Sequence, residues 1–263
     1  MKYRLIALDV DGTLLNDRYE LTERTIRAVR DVADRGATIV LCTGRSPVNT
    51  LPILERLGLE GTIITHNGAA TVRSQDRHIV HNYTFDIGEL DAVFAYCRDN
   101  GLHYDVCTPF QLYVDEELSE EVAGMYDKYM LQPTRIAAMS ELPERPVKFT
   151  VFGDKQAIDR AEHDWAELGL PLTVLRSGDY FIDLMHPDAT KGSALRELAL
   201  SLGIDRTEVA AIGNYYNDIE MIRYAGLGIA MDNSPEDVKR AADAVTVSNN
   251  EEGVYVALNR YVF

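Results

Sequence analysis

No apolar run in this sequence reaches the roughly 18 residues that a membrane-spanning helix needs. Cysteine is scarce: Cys42, Cys97 and Cys107 are odd in number, lack C-x-x-C spacing and each lie in an apolar stretch. Buried free thiols are therefore expected, in a reducing compartment, rather than a disulfide framework. Positive charge is also short, with 26 Lys and Arg against 42 Asp and Glu and a formal net charge of -16. Such a surface repels nucleic acid and anionic membrane, so neither is expected as a partner. An anionic ligand would have to be met by local positive charge or by a metal. The first apolar run, Leu5-Ile6-Ala7-Leu8, is broken by Asp9 and Asp11, so no secretory signal is expected and a cytoplasmic location is. There is no internal repeat or low-complexity tract.

What is present is an ordinary apolar share of 46%, enough for a sizeable core, and a regular alternation of strand and helix signals. Leu5–Leu8 reads as a buried parallel strand. Thr22 reads as an N-cap, Ile26, Val29 and Ala33 follow at helical spacing, and Gly36 ends that helix. A second strand spans 37–42, Pro47 opens a helix closing near Gly58, and a third strand spans 62–65. This is the pattern of a parallel sheet with crossovers. It gives way to a hairpin (70–73 and 78–83), then to helices over 86–100, 119–130 and 155–168. Shorter strands are expected among them at 104–106, 112–114, 147–152, 172–175 and 180–184. Neighbouring strands of this kind suggest an antiparallel sheet. The parallel pattern resumes with a helix over 191–202, strands at 209–212, 228–231 and 244–247, and a helical tail from Asn250. The fold class is therefore α/β: a Rossmann-like parallel-sheet core, 1–82 and 184–263, interrupted by an α+β insertion, 83–183.

The chemistry-bearing residues stand at strand ends or helix starts. Asp9-Val10-Asp11-Gly12-Thr13-Leu14-Leu15 follows the first strand. Asp9 and Asp11 are expected to leave it on the same side, and Gly12 to free the turn. A carboxylate pair at the carboxyl end of a buried strand can hold Mg2+, and one member can attack phosphorus. Thr43-Gly44-Arg45 ends the second strand, Lys191-Gly192 opens a helix, and Gly213-Asn214-Tyr215-Tyr216-Asn217-Asp218 follows a fourth core strand. Each has a structural reading when taken alone: a turn, a solvated lysine, an N-cap pair.

Taken together and in this order, these motifs resemble the haloacid dehalogenase superfamily of phosphohydrolases. Within it the chain is similar to the Cof-type subfamily (subclass IIB), whose α+β cap is inserted between the second and third motifs. The resemblance implies a phosphoric monoester hydrolase, Mg2+-dependent, acting on small phosphorylated metabolites, with sugar phosphates foremost. It implies Asp9 as the nucleophile that becomes an aspartyl-phosphate, and Asp11 as general acid and then base. Val10, Thr43, Gly44, Lys191 and Asn217 would contact the phosphate. From position alone, Asn67 could contact the substrate, and Arg45 could do so or form a structural ion pair. Asp9, the main-chain oxygen of Asp11, Asn214 and Asp218 would form the metal site, Asp218 through water or from behind the ligands. The inserted cap would close as a lid, with hinges near 82–84 and 183–187.

The family usually has aspartate where this chain has Asn214. An amide carbonyl still offers an oxygen, but with one negative charge fewer, so weaker Mg2+ binding is expected. Two rivals share the pattern: a phosphomutase, and a catalytically weak binding or regulatory protein. Other candidates carry less. His78 and His81, three apart on a strand, face opposite sides and make a poor metal pair. His66 lies near the expected site, Tyr215 and Tyr216 wall a pocket or merely pack, and His186 is hinge packing or a pocket residue.

Overall fold

The computed structural model describes residues 2–128 and 131–263. The chain divides into two compact units, one made of Met1–Asn82 and Ala189–Phe263, the other of Tyr83–Asp188. The first unit begins with β1 (Leu5–Asp9), α1 (Glu23–Asp34), β2 (Thr38–Cys42), α2 (Pro47–Arg56), β3 (Thr62–Thr65), β4 (Ala70–Arg73) and β5 (Ile79–Asn82). The second contains α3 (Asp91–Asn100), β6 (His103–Cys107), β7 (Leu112–Val114), α4 (Glu120–Lys128), β8 (Thr134–Arg135), β9 (Lys148–Phe152), α5 (Lys155–Ala166), β10 (Thr173–Gly178) and β11 (Phe181–Met185). The chain then returns to the first unit with α6 (Lys191–Ser201), β12 (Val209–Gly213), α7 (Ile219–Tyr224), β13 (Leu227–Ala230), α8 (Glu236–Ala241), β14 (Ala244–Val245) and α9 (Gly253–Ala257).

The sheet of the first unit has the order β14-β13-β12-β1-β2-β3-β4-β5. It is parallel from β14 to β3, and the β4–β5 hairpin extends it antiparallel. The strands that follow β1 in sequence lie on one side of it, and β12 to β14 lie on the other. β1 is thus the switch point, where an open α/β sheet leaves a crevice beyond its carboxyl ends. Alternation along the strands decides what lies on each face. Leu5 and Ala7 pack with Val40, Cys42 and Ile64 against Ala194, Leu195 and Leu198 of α6. Asp9 has the parity of Leu5 and Ala7, so it falls on the α6 side of the sheet.

The second unit has a sheet of order β10-β11-β9-β6-β7-β8, antiparallel except between β7 and β8. One face buries Tyr104, Val106, Phe149, Val151, Ile182 and Leu184 under α3 and α5. The other carries His103, Asp105, Lys148, Thr150 and Asp183, with Tyr126 of α4 bonded to Asp105.

Local signals account for most element ends. The Thr22 hydroxyl accepts from the amide of Thr25 at the start of α1, and Thr190 accepts from Ser193 at the start of α6. Several boundaries differ from expectation. The second crossing falls at 188/189 rather than 183/184, because β11 stays paired with β10 as far as Met185. The helix expected from 86 begins as a 3-10 turn, Ile87–Leu90, closed by the Asp86 side chain on the amide of Gly88. The helix expected over 119–130 is seen as Glu120–Lys128, and its expected end at 129–130 lies outside the described residues. β8 is too short for alternation to reveal. The tail is a 3-10 turn, α9 and a π turn in succession. All three cysteines are free and buried. Among the described residues no helix is long and apolar enough to cross a membrane.

Candidate active site

The carboxyl ends of β1, β2, β3 and β12 meet at the switch point, and each supplies one part of the site. β1 ends at Asp9, which is buried and paired in register with Cys42. The turn after it is closed by the amides of Thr13 and Leu15 donating to the carbonyl of Val10. Gly12 adopts φ +76°, and a Cβ there would come within 2.4 Å of the Asn214 side chain. Only glycine meets both demands.

Lys191 stands on the first turn of α6, the helix packed on the face to which Asp9 points. Its ammonium is 2.7 Å from Oδ1 of Asp9 and 2.6 Å from Oδ1 of Asp218, and the residue is 1% exposed. The other oxygen of Asp218 accepts from the amides of Asn214, at 2.8 Å, and Tyr215, at 3.0 Å. With both oxygens engaged and no exposure, Asp218 anchors Lys191 and the loop after β12. It is not turned toward an open coordination position. Gly213 makes this loop possible, since a Cβ there would lie 2.6 Å from the Asp218 carboxylate carbon.

Burial is the main influence on these charges. It pushes the Asp9 carboxyl up to about 7, with the nearby Asp218 charge adding to the rise and Lys191 opposing it. Burial alone would lower the Lys191 ammonium, but the charges of Asp218 and Asp9 outweigh it and raise its pKa. Lys191 is therefore a fixed cation, held against the carboxylate expected to be the nucleophile.

The Asp11 carboxylate is exposed where that of Asp9 is buried. β1 ends at Asp9, so strict alternation stops there, and the Asp11 carboxylate is taken by Arg45. Nε of Arg45 is 2.8 Å from Oδ2 and Nη2 is 2.6 Å from Oδ1. That hydrogen-bonded pair holds the guanidinium above its ordinary pKa. It uses two of the five N–H donors of the guanidinium. What Asp11 brings beside Asp9 is its main-chain oxygen. One end of the Asn214 amide lies 3.0 Å from Oδ2 of Asp9, 2.9 Å from that Asp11 oxygen and 3.0 Å from Oγ1 of Thr13.

β2 and β3 supply the remaining wall. Thr43 is buried, and its hydroxyl accepts from the amide of Arg45. His66 and Asn67, both non-glycine, sit in the left-handed region at φ +49° and +56°. Such strain concentrates at functional sites. It is held by the amides of His66 and Asn67 donating to the carbonyls of Arg45 and Thr43. Asn67 Oδ1 then accepts from Nδ2 of Asn217 at 2.9 Å, and it lies so near Gly44 that a Cβ would approach to 2.9 Å. Gly44, Asn67 and Asn217 are thereby brought together.

Other candidates separate from this cluster. His81 is paired in the β4–β5 hairpin, and among the described residues no three His, Cys, Asp or Glu side chains group as a metal site. His186 belongs to the second unit, its ring stacked on Tyr83. Tyr215 and Tyr216 meet edge to face and stay half exposed. Two residues of the site were not singled out from sequence: Thr13, on Asn214, and Asn233, whose amide donates to the carbonyl of Gly12 at 2.9 Å. Thr13 is part of the first motif and so carried a signal. Asn233 lies in the loop after β13 and carried none.

Residues 6–258 match the sequence profile of haloacid dehalogenase-like hydrolases. The chain is 30% identical to the phosphatase YwpJ of Bacillus subtilis, over 95% of this chain and 97% of the relative. Among solved structures it is similar to a haloacid dehalogenase-like hydrolase from Bacteroides thetaiotaomicron. The TM-score is 0.88 at 28% identity, covering 98% of this chain and 99% of that one. It is also similar to BT4131, a subclass IIB sugar phosphatase of the same superfamily, with a TM-score of 0.82 at 25% identity and 98% of each chain covered.

Proposed function

The chain belongs to the haloacid dehalogenase-like hydrolases and is a phosphoric monoester hydrolase; on that premise we propose that it hydrolyses small phosphorylated metabolites, sugar phosphates foremost, through an aspartyl-phosphate on Asp9 and with Mg2+ as cofactor. The observation that carries this reading is the environment of the Asp9 carboxylate. One oxygen is held by the buried ammonium of Lys191, and the other lies against the same end of the Asn214 amide as the Asp11 main-chain oxygen.

Those oxygens fit the metal. Mg2+ takes oxygens at about 2.0–2.1 Å in near-octahedral geometry, which sets neighbouring ligands roughly 2.9 Å apart. The separations of 2.9 and 3.0 Å from the Asn214 amide match that edge. Asp9, the carbonyl of Asp11 and the amide oxygen of Asn214 would hold the ion, and Asp218 would hold Lys191 and the loop behind them. When bound, the cation offsets the charge that keeps a phosphate dianion from a carboxylate.

The protein's own residues supply the remaining chemistry. A carboxylate oxygen of Asp9 bonds to phosphorus as the bond from phosphorus to the substrate oxygen breaks. Asp11 gives its proton to the departing alkoxide. It then takes one from the water that attacks phosphorus, which frees Asp9 and inorganic phosphate. The Arg45 guanidinium engages both carboxylate oxygens of Asp11, so proton donation requires it to release one of them. Lys191 lies against Asp9, placed to balance charge as the phosphoryl group arrives. The hydroxyl of Thr43, the amides of Val10 and Gly44, and the Asn217–Asn67 pair supply further contacts to the phosphoryl oxygens. The named sugar phosphatase among the structural relatives supports the substrate class, and three buried free thiols support a cytoplasmic setting.

Phosphate release from sugar phosphates, nucleotides, pyridoxal phosphate and p-nitrophenyl phosphate, with Mg2+ or with EDTA, tests this reading. Release should need Mg2+ and fall by about 10³-fold or more in Asp9→Asn. Equal release in EDTA, or full activity in that variant, would refute it. Phosphate returned to a second hydroxyl, with little set free, would mark a mutase instead.

A further inference from the structure

The two ends of the Asn214 amide have the same shape but opposite hydrogen-bonding character, and their surroundings decide between them. The inner end faces Oδ2 of Asp9 at 3.0 Å and the carbonyl oxygen of Asp11 at 2.9 Å. The outer end faces only donors. The main-chain carbonyl of Asp11 accepts hydrogen bonds and offers none, and the Asp9 carboxylate does the same in its ionised form, the form that pairs with Lys191. A carbonyl placed at the inner end would therefore stand against two acceptors with nothing to link them. An NH2 group there supplies one hydrogen to each, and its carbonyl meets the donors outside.

A cation at the same place reverses the preference, because it requires oxygen from all three. The two arrangements differ by half a turn about the terminal side-chain torsion, which is soft and roughly two-fold. Thr13 suits both. Its hydroxyl, 3.0 Å from the inner end, donates to a carbonyl there and accepts from an NH2.

We propose that Asn214 is a two-position latch: its NH2 bridges Asp9 to the Asp11 carbonyl in the metal-free enzyme, and its carbonyl turns inward when a divalent cation binds. The cation half of this proposal rests on the Mg2+ reading given above; the inward NH2 does not. Aspartate at this position would set a second carboxyl group about 3 Å from that of Asp9, so the empty site would hold either two repelling charges or a proton that the cation must displace. Asparagine thus stabilises the metal-free enzyme and makes the cation compete with an internal hydrogen-bonded state, which lowers apparent affinity by the fraction of molecules latched.

The test compares wild type with Asn214→Asp, both stripped with EDTA. Melting temperature, calorimetric titration with MgCl2 and the side-chain amide signals in a 1H–15N spectrum are recorded. The Asn214 signals are identified by their loss in the variant. Without metal, the variant should melt several degrees below wild type, and with saturating Mg2+ the gap should close or reverse. The variant should bind Mg2+ on the order of 10-fold more tightly. In wild type the Asn214 NH2 protons should be protected from exchange in EDTA and lose protection as Mg2+ is added. Equal melting temperatures in EDTA, or unprotected Asn214 protons there, would overturn the latch. A lower melting point for the variant in EDTA, with Mg2+ binding to neither protein, would uphold the inward NH2 and refute the cation reading instead.

Discussion

Lys191 and Lys148 are both drawn largely out of water beside two aspartates, one in each unit. Lys191 touches both of its partners, at 2.7 and 2.6 Å. Lys148 lies 3.5 Å from Asp183, whose Oδ1 also accepts from Thr150, while Asp105 turns instead to the hydroxyl of Tyr126. The first cluster stands at the ends of parallel strands, where main-chain oxygens and amides are free to join it. The second lies along the middle of an antiparallel sheet, where the main chain is already paired. The same trio, one lysine and two aspartates, therefore makes the candidate reactive centre in one place and a structural network in the other. Position in the fold, rather than composition, separates them.

The largest expected effect comes from replacing each lysine. Lys191→Met leaves two buried carboxylates without their cation. It should cost about 3–5 kcal/mol of stability in urea unfolding and at least about 10²-fold in kcat. Lys148→Met should cost about 1–3 kcal/mol and leave turnover per folded molecule unchanged. Equal losses of activity would erase the distinction drawn here. Asp218→Asn comes next. One end of an amide is a donor, and it would face either the Lys191 ammonium or the two loop amides. Turnover should fall about 10–100-fold, and unfolding should come at lower urea.

The second cluster makes a pH prediction. Burial pushes Asp105 up to about 7, so the fold favours its protonated form, a contribution lost as pH rises from the ordinary carboxylate range through 7. Burial also lowers His103 to about 4, so the fold favours its neutral form, a contribution lost as pH falls from 6.5 through 4. The two are joined through the Tyr126 hydroxyl, and between pH 4 and 7 their slopes oppose. Thermal unfolding of Asp105→Asn should therefore show stability rising across this window relative to wild type, and His103→Gln should show it falling. Parallel curves for all three proteins would contradict these environments. The smallest effect is expected for Arg45→Met, which breaks a partly exposed pair worth about 1 kcal/mol or less. KM should move less than about threefold. A rise beyond tenfold would mean that the guanidinium leaves Asp11 to hold the substrate.

The same contrast explains what could be read in advance. Asp9, Thr43, Lys191 and Asn214 were legible because each stands where a strand signal ends or a helix signal begins, and their order along the chain repeats a known pattern. For Asp218 two readings stayed open, a ligand through water or a support behind the ligands, since a carboxylate facing a metal and one facing an ammonium leave the same letter in a sequence; its bonds to Lys191 and the two loop amides favour the second. An ion pair was one of the two readings open for Arg45, but its partner Asp11 was not legible, because it is placed by the turn after β1. The left-handed turn at His66 and Asn67 is fixed by bonds to residues over twenty positions earlier. Asp105 and Asp183 look like solvent-facing strand residues, and only α4, through Tyr126, shows that their face is covered. The insertion was legible from the change in pattern, but its far boundary was not, because pairing rather than composition carries β11 past Asp183.

The central claim is that Asp9 itself carries the phosphoryl group. Wild type and Asp11→Asn, whose intermediate should break down slowly, would be mixed with a substrate in Mg2+, quenched in acid within the first turnovers and mapped by mass spectrometry. A hydroxylamine-labile phosphoryl adduct on Asp9 should form and should accumulate in the Asp11 variant. An Asp11→Asn enzyme that turns over its substrate with Asp9 unmodified throughout would contradict the claim.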